Sequence, residues 1–292
     1  MRRSSLTLAV LSGKGGTGKT LVSANLAGAA QDAAYVDCDV EAPNGHLFFQ
    51  PEIMEEETVC VRIPVVDEAR CTGCRACVDF CRFGALAFVK GHPLVFPSVC
   101  HACGGCALVC KSGAIVEADK PIGTLLRGCS GNTAVFTGAL QPGEASGVPL
   151  IRRLLQKSAS AAPLRVIDCP PGSACAVTES IRDADYCLLV AEPTVYGAQN
   201  LAMVHALTAL KQKPIGVLLN KCGEGENPSE TYCAAQGLPI VGRIAFDHTL
   251  GRLASDGTLA VRRSSAYGAL FGRLLDAVCK EARHETAADS QR

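Results

Sequence analysis

Apolar residues in this chain gather in short unbroken runs. The clearest span residues 6–11, 34–37, 164–168, 186–191 and 215–220, with a weaker one at 134–137. Runs of this length, rich in Val, Ile, Leu and Ala, predict strands buried on both faces of a sheet. Between them, residues 19–31, 148–157 and 197–210 predict helices, and residues 267–280 predict a last one. Strand alternating with helix implies a parallel α/β sheet covered on both sides. One stretch breaks the alternation: after an apolar lead-in at 59–66, cysteine replaces the aliphatic pattern until about residue 117. The expected organisation is an α/β domain in two parts, 1–62 and 120–283, a small α+β module inserted at 63–119, and a polar, frayed tail at 284–292.

Chemistry enters directly after the first strand. Ser12 leads into Gly13, Lys14, Gly15, Gly16, Thr17, Gly18, Lys19 and Thr20, and Gly13, Gly18, Lys19 and Thr20 satisfy the pattern G-x4-G-K-T. A strand before the motif and a helix after it make a phosphate-binding P-loop the expected reading over a chance glycine-rich turn. Lys19 is then expected at the β- and γ-phosphates and Thr20 at Mg²⁺.

The inserted stretch holds two cysteine runs of one spacing, C-x2-C-x2-C-x3-C. Cys71, Cys74, Cys77 and Cys81 form the first, and Cys100, Cys103, Cys106 and Cys110 the second, repeated after 29 residues. Zinc sites use paired C-x2-C units further apart, whereas compact four-cysteine runs suit [4Fe–4S] clusters. Two-cluster ferredoxins exchange their fourth cysteines. That pattern assigns Cys71, Cys74, Cys77 and Cys110 to one cluster, and Cys100, Cys103, Cys106 and Cys81 to the other. Where ferredoxins usually carry proline after the fourth cysteine, Arg82 and Lys111 stand here. His101, beside Cys100, is expected as a solvated neighbour and not as a ligand.

Lys14, a second lysine early in the loop, resembles the deviant Walker A ATPases: MinD, ParA, the nitrogenase iron protein and the Mrp-type carriers. The chain resembles a branch of that superfamily with an inserted ferredoxin domain. The resemblance implies a homodimer on ATP binding, with Lys14 acting in trans. It also implies that Asp37 lies near Mg²⁺, that Asp39 orients the attacking water, and that Asp168 is a Walker B carboxylate. Pro170, Pro171 and Gly172 would begin the second switch. Asn220 would read adenine, and Glu192, Pro193 and Thr194 would lie near the base. Cys175 matches a cluster-ligating cysteine of the nitrogenase iron protein, and a small buried residue is the alternative there.

Basic and acidic residues balance, 28 against 28, so no charge excess points to nucleic acid or a lipid surface. No apolar run is long enough to insert in a membrane. The first residues are too brief for a secretory signal, and 17 cysteines suit metal ligation in a reducing cytoplasm better than disulfides. Three roles follow. An ATP-driven redox switch would pass electrons to an unknown partner protein. An iron–sulfur carrier or assembly ATPase of the Mrp type is the second, and a MinD/ParA-like positioning ATPase the third.

Overall fold

Strands with no polar face must be covered twice, and the chain satisfies this with one central sheet between two helical layers. The computed structural model describes the backbone of residues 5–289 and the side chains of residues 5–284. Its strands are β1 (Leu6–Leu11), β2 (Ala33–Asp37), β3 (Glu52–Val66), β4 (Leu86–Val89), β5 (His92–Val95), β6 (Ile115–Ser130), β7 (Thr133–Leu140), β8 (Leu164–Asp168), β9 (Tyr186–Ala191), β10 (Ile215–Cys222) and β11 (Ile240–Ala245). The helices are α1 (Lys19–Ala29), α2 (Gly45–Phe49), α3 (Ala76–Phe80), α4 (Gly105–Leu108), α5 (Val148–Ser158), α6 (Cys175–Ser180), α7 (Val195–Leu210), α8 (Pro228–Gln236), α9 (His248–Ser255), α10 (Ala260–Arg263) and α11 (Ser265–Asp289).

The main sheet has nine strands in the order β11-β10-β9-β1-β8-β2-β7-β6-β3. Strands β11 through β7 in that order run parallel, while β6 and β3 are antiparallel additions. Every residue of β2, β8 and β9 is buried, as the apolar runs require. One core, containing Leu150, Leu154, Val177 and Val204, lies on one face. The other, containing Val22, Leu26, Phe271 and Val278, lies on the opposite face. β1 sits between β8 and β9, so the chain reverses its direction of growth across the sheet there. Such switch points open a crevice at the carboxyl ends of the strands, and the β1–α1 loop occupies it.

The sheet is mixed, where the sequence led us to expect a parallel one. The missed feature is the long β3–β6 hairpin, in which Val66 pairs with Ile115. β3 carries Glu52, Glu55, Glu56 and Glu57, too acidic to resemble a buried run. Its acids are instead matched by cations. Arg153 of α5 meets Glu57 at 2.6 Å, and Lys157 reaches both Glu57 (3.2 Å) and Glu55 (2.5 Å). Each such exposed pair adds little stability by itself, but together they register a charged edge strand that resists further strand pairing.

Residues 67–114 form a separate lobe at the hairpin tip, narrower than the expected 63–119. The Asp67 N–H donates to the Ala114 carbonyl at 2.7 Å and closes its neck. The lobe has the two-stranded sheet β4–β5 and helices α3 and α4, and its small core packs Cys77 and Leu86 against Ile115 at the start of β6. At the other end, α11 runs on through Asp289, so the segment from 284 expected as a frayed tail is largely helical; residues 290–292 of that segment lie outside the described residues. No helix among the described residues is long and apolar enough to cross a membrane.

A direct test of the hairpin account replaces residues 67–114 by an Asn-Gly turn between Val66 and Ile115. The remaining chain should still unfold cooperatively, within roughly 5 °C of the parent. Loss of a cooperative melt would show that the lobe is part of the main core.

Candidate nucleotide-binding site

Helix α1 begins without help. Gly18 is its N-cap, no side chain caps it, and its first turn carries no acid. Its free N–H groups therefore face the crevice with the positive end of the helix dipole, a site for an anion. The Thr17 hydroxyl in the same loop is buried with no partner. Gly18 holds φ at 92°, and a Cβ there would overlap the Asn220 side chain. Only glycine meets both demands.

Around this loop lies a cavity of about 380 Å³, within the range of small-molecule sites. Lys14, Gly15, Gly16, Gly18, Lys19, Thr20, Asp39 and Pro171 line it. Beside Asn44, sequence reasoning missed the far wall, made by Leu47, Phe48, Ser255 and Gly257. These residues come from α2 and the end of α9, and no motif marks them.

Beneath the cavity is a buried charge cluster. Parallel pairing sets Asp37 at the end of β2 beside Asp168 at the end of β8. Lys19 Nζ donates to Asp168 Oδ1 at 2.5 Å, and Tyr35 Oη donates to Asp168 Oδ2 at 2.9 Å. Asp37 accepts backbone N–H groups from Asp39 (3.1 Å), Asn44 (3.1 Å) and Gly45 (2.9 Å). Burial and the Asp168 charge still push the Asp37 carboxyl up to about 7. Burial opposes the Lys19 charge, yet Asp168 holds its ammonium above the ordinary lysine range. Asp39 is raised mainly by burial, with Lys19 opposing.

Lys14 forms an ion pair with Glu192 and lies 4.9 Å from the Tyr196 ring centre. Burial works against the Glu192 charge, but Lys14 and then Lys221 hold it below the usual carboxylate range. Asn220 and Pro193, expected at the base, do not line the cavity. Asn220 Nδ2 donates to the Thr17 carbonyl at 2.7 Å, and Lys221 Nζ to the Gly16 carbonyl at 2.6 Å. The end of β10 thus clamps the loop.

The model of the CbiA family, the CobQ/CobB/MinD/ParA nucleotide binding domain, matches residues 8–260. The chain belongs to this family. An uncharacterized protein of Methanocaldococcus jannaschii is 32% identical over 193 residues, 65% of this chain and 68% of that protein. A second from the same organism is 26% identical over 223 residues, 75% and 81% of the two chains. Among solved structures, the septum site-determining protein MinD of Pyrococcus horikoshii, complexed with Mg-ADP, superposes with a TM-score of 0.60. It is 18% identical, over 94% of this chain and 95% of that one. The cell division ATPase MinD of Pyrococcus furiosus gives 0.60 at 19% identity, covering 94% and 99%. At such identities the likeness is one of fold.

The cysteine lobe gathers its thiols into two rings. One lines a slot of about 20 Å³ with Cys71, Cys74, Cys77 and Cys110. The other lines a cavity of about 270 Å³ with Cys81, Cys100, Cys103 and Cys106. The runs share a backbone shape: φ is positive at Gly73 and Ala102, at Arg75 and Gly104, and at Gly84 and Gly113. Arg75 (63°) and Ala102 (51°) are non-glycine residues held left-handed, a strain that clusters at ligand clamps. His101 stacks on Phe83 with centroids 4.0 Å apart. Cys175 is exposed at the start of α6 and belongs to neither ring. Among the described residues, no three His, Cys, Asp or Glu side chains converge to hold a single metal ion.

Two outcomes follow. Gly18→Ala should cost ~1–3 kcal/mol of stability from strain and overlap, and should abolish nucleotide binding, read by thermal unfolding with and without ATP. Asp37 keeps its proton when folded up to about pH 7 but loses it near pH 4 when unfolded. The folded state then binds the extra proton between these values, so stability falls as pH rises, by at most about 1.4 kcal/mol per unit. Urea unfolding at about pH 5 and about pH 7 should show that decline, flattened in Asp37→Asn.

Proposed function

We propose that the chain binds Mg²⁺–ATP over the N-terminus of α1 and hydrolyses it to ADP and phosphate. One observation carries this reading: Lys14, Lys19, Thr20, Asp39 and Pro171 line one cavity above a buried carboxylate pair. Lys19 leaves Asp168 for the β- and γ-phosphates, and Asp39 positions the attacking water. Thr20 and Asp168 hold Mg²⁺, with Asp37 behind them. Bound there, Mg²⁺ would supply positive charge to offset the negative charge that develops in phosphoryl transfer. Lys14 leaves Glu192 and reaches the nucleotide of a second copy, so ATP favours a homodimer. Asn220 acts at the base once its hydrogen bond to the Thr17 carbonyl shifts, with Pro193 beside the base. The lysines, hydroxyl and carboxylates suit this ligand, and the uncapped helix and the unpartnered Thr17 hydroxyl await hydrogen-bonding partners.

Of the three roles raised above, the comparisons favour the MinD/ParA-like ATPase. The redox switch rests on the cysteine lobe alone. Two rings of three cysteines from one run and the fourth from the other support two [4Fe–4S] clusters. A cubane spreads its four ligands around a cage, so the lack of a single-ion site does not bear against it. The second ring has room for one, while the first must spread its loop, where Cys74 is exposed. Electron transfer to a partner protein, and gating of it by ATP, belong to this second reading. A third cluster ligated by Cys175 at a dimer interface has weaker support, since no further cysteine joins it. Free thiols throughout suit a reducing cytoplasm.

Lys19→Ala should remove nucleotide binding, whereas Lys14→Ala should keep binding and lose ATP-driven dimerisation, read by light scattering. Retained turnover in Lys19→Ala contradicts the ATPase reading. Anaerobic reconstitution should give about eight irons per chain, and about four after Cys103→Ser and Cys106→Ser together. Zinc in place of iron and sulfide contradicts the cluster reading.

A further inference from the structure

Asp168 has two partners, and the proposed reaction removes one of them. Lys19 holds Oδ1 and Tyr35 holds Oδ2. Once Lys19 moves to the phosphates, a carboxylate with no solvent exposure keeps a single hydrogen bond. Asp37 is already engaged: its two oxygens accept backbone N–H groups from Asp39, Asn44 and Gly45. A buried carboxylate without a donor rotates or loses its charge.

Tyr35 is built to stay. It lies on β2 two residues before Asp37, on the same face, and is fully buried. Its ring packs on Phe49 with centroids 4.8 Å apart. From above, the backbone at Gly45 presses so close that a Cβ there would overlap the Tyr35 hydroxyl. The Gly45 N–H in turn donates to Asp37. The phenol therefore has little freedom to turn away from Asp168, with or without nucleotide.

We propose that Tyr35 is a positioning residue that keeps the Asp168 carboxylate aimed at Mg²⁺ after Lys19 has left it. This inference rests on the ATPase reading and deepens it. A tyrosine in a hydrophobic strand is ordinarily core, and a core role would be served equally by phenylalanine. The two roles separate in the metal dependence of nucleotide binding.

The test titrates Mg²⁺ against a fixed concentration of a fluorescent ATP analogue, comparing the parent with Tyr35→Phe, Asp168→Asn and the double variant. Tyr35→Phe keeps the ring and its packing. It should raise the Mg²⁺ needed for half-maximal binding about tenfold, the size of one hydrogen bond to a charged acceptor. Binding of the analogue in EDTA should be unchanged, and so should the thermal midpoint of the nucleotide-free protein to within a few degrees. In the Asp168→Asn background the same substitution should change nothing, since Tyr35 acts through that carboxylate. An unaltered Mg²⁺ requirement in Tyr35→Phe, beside normal Mg²⁺-dependent binding in the parent, overturns the inference and leaves the ATPase reading standing. Equal loss of binding with and without metal, or an effect that persists in Asp168→Asn, reduces Tyr35 to a packing residue. A parent protein that binds no nucleotide at any Mg²⁺ concentration overturns the ATPase reading, and this inference with it.

Discussion

The structure turns on one buried ion pair, Lys19 with Asp168, at the centre of the sheet. Both side chains are almost wholly removed from solvent, at 6% and 0% exposure. A buried pair contributes little net stability but is costly to break on one side only. In the proposed reaction Lys19 therefore exchanges Asp168 for a ligand that supplies equivalent negative charge. Phosphate at the α1 N-terminus is such a ligand. The pair thus favours, in the proposed reaction, exchange of its carboxylate for an anion over release of Lys19 to water. Loop, strand ends and α2 are all arranged around that exchange.

The charge that must be held in cis extends beyond this pair. Lys14 is clamped by Glu192, which also attracts Lys221, and Lys221 in turn holds the Gly16 carbonyl. The loop therefore rests in a set of contacts from β10 and the start of α7. Any rearrangement that sends Lys14 to a second copy must first undo this set. The cysteine lobe is carried at the tip of the β3–β6 hairpin, on the far side of the sheet edge from β1.

Much of this was legible in the sequence because the signals are local. The loop residues Gly13 to Thr20 follow from a motif beside an apolar run, and the resemblance pointed to the strand ends Asp37 and Asp168, which the sheet register sets side by side. For the cysteines, spacing gave the two runs, and the exchange of fourth cysteines seen in two-cluster ferredoxins gave the ring partners. What escaped depends on contacts across the fold. Tyr35 looks like core in an apolar strand, and only the register of β2 on β8 brings its hydroxyl to Asp168. The glutamates of β3 look like a solvated loop until α5 supplies Arg153 and Lys157. Asn220 and Pro193 were placed by resemblance, but the side chain of one clamps the loop from below and neither lines the cavity.

Calorimetric titration of Mg²⁺–ATP into the purified protein tests the central claim most directly. The account predicts one site per chain, with binding lost when Lys19 is replaced. Absence of binding, or equal affinity for ATP in the Lys19→Ala protein, would contradict it.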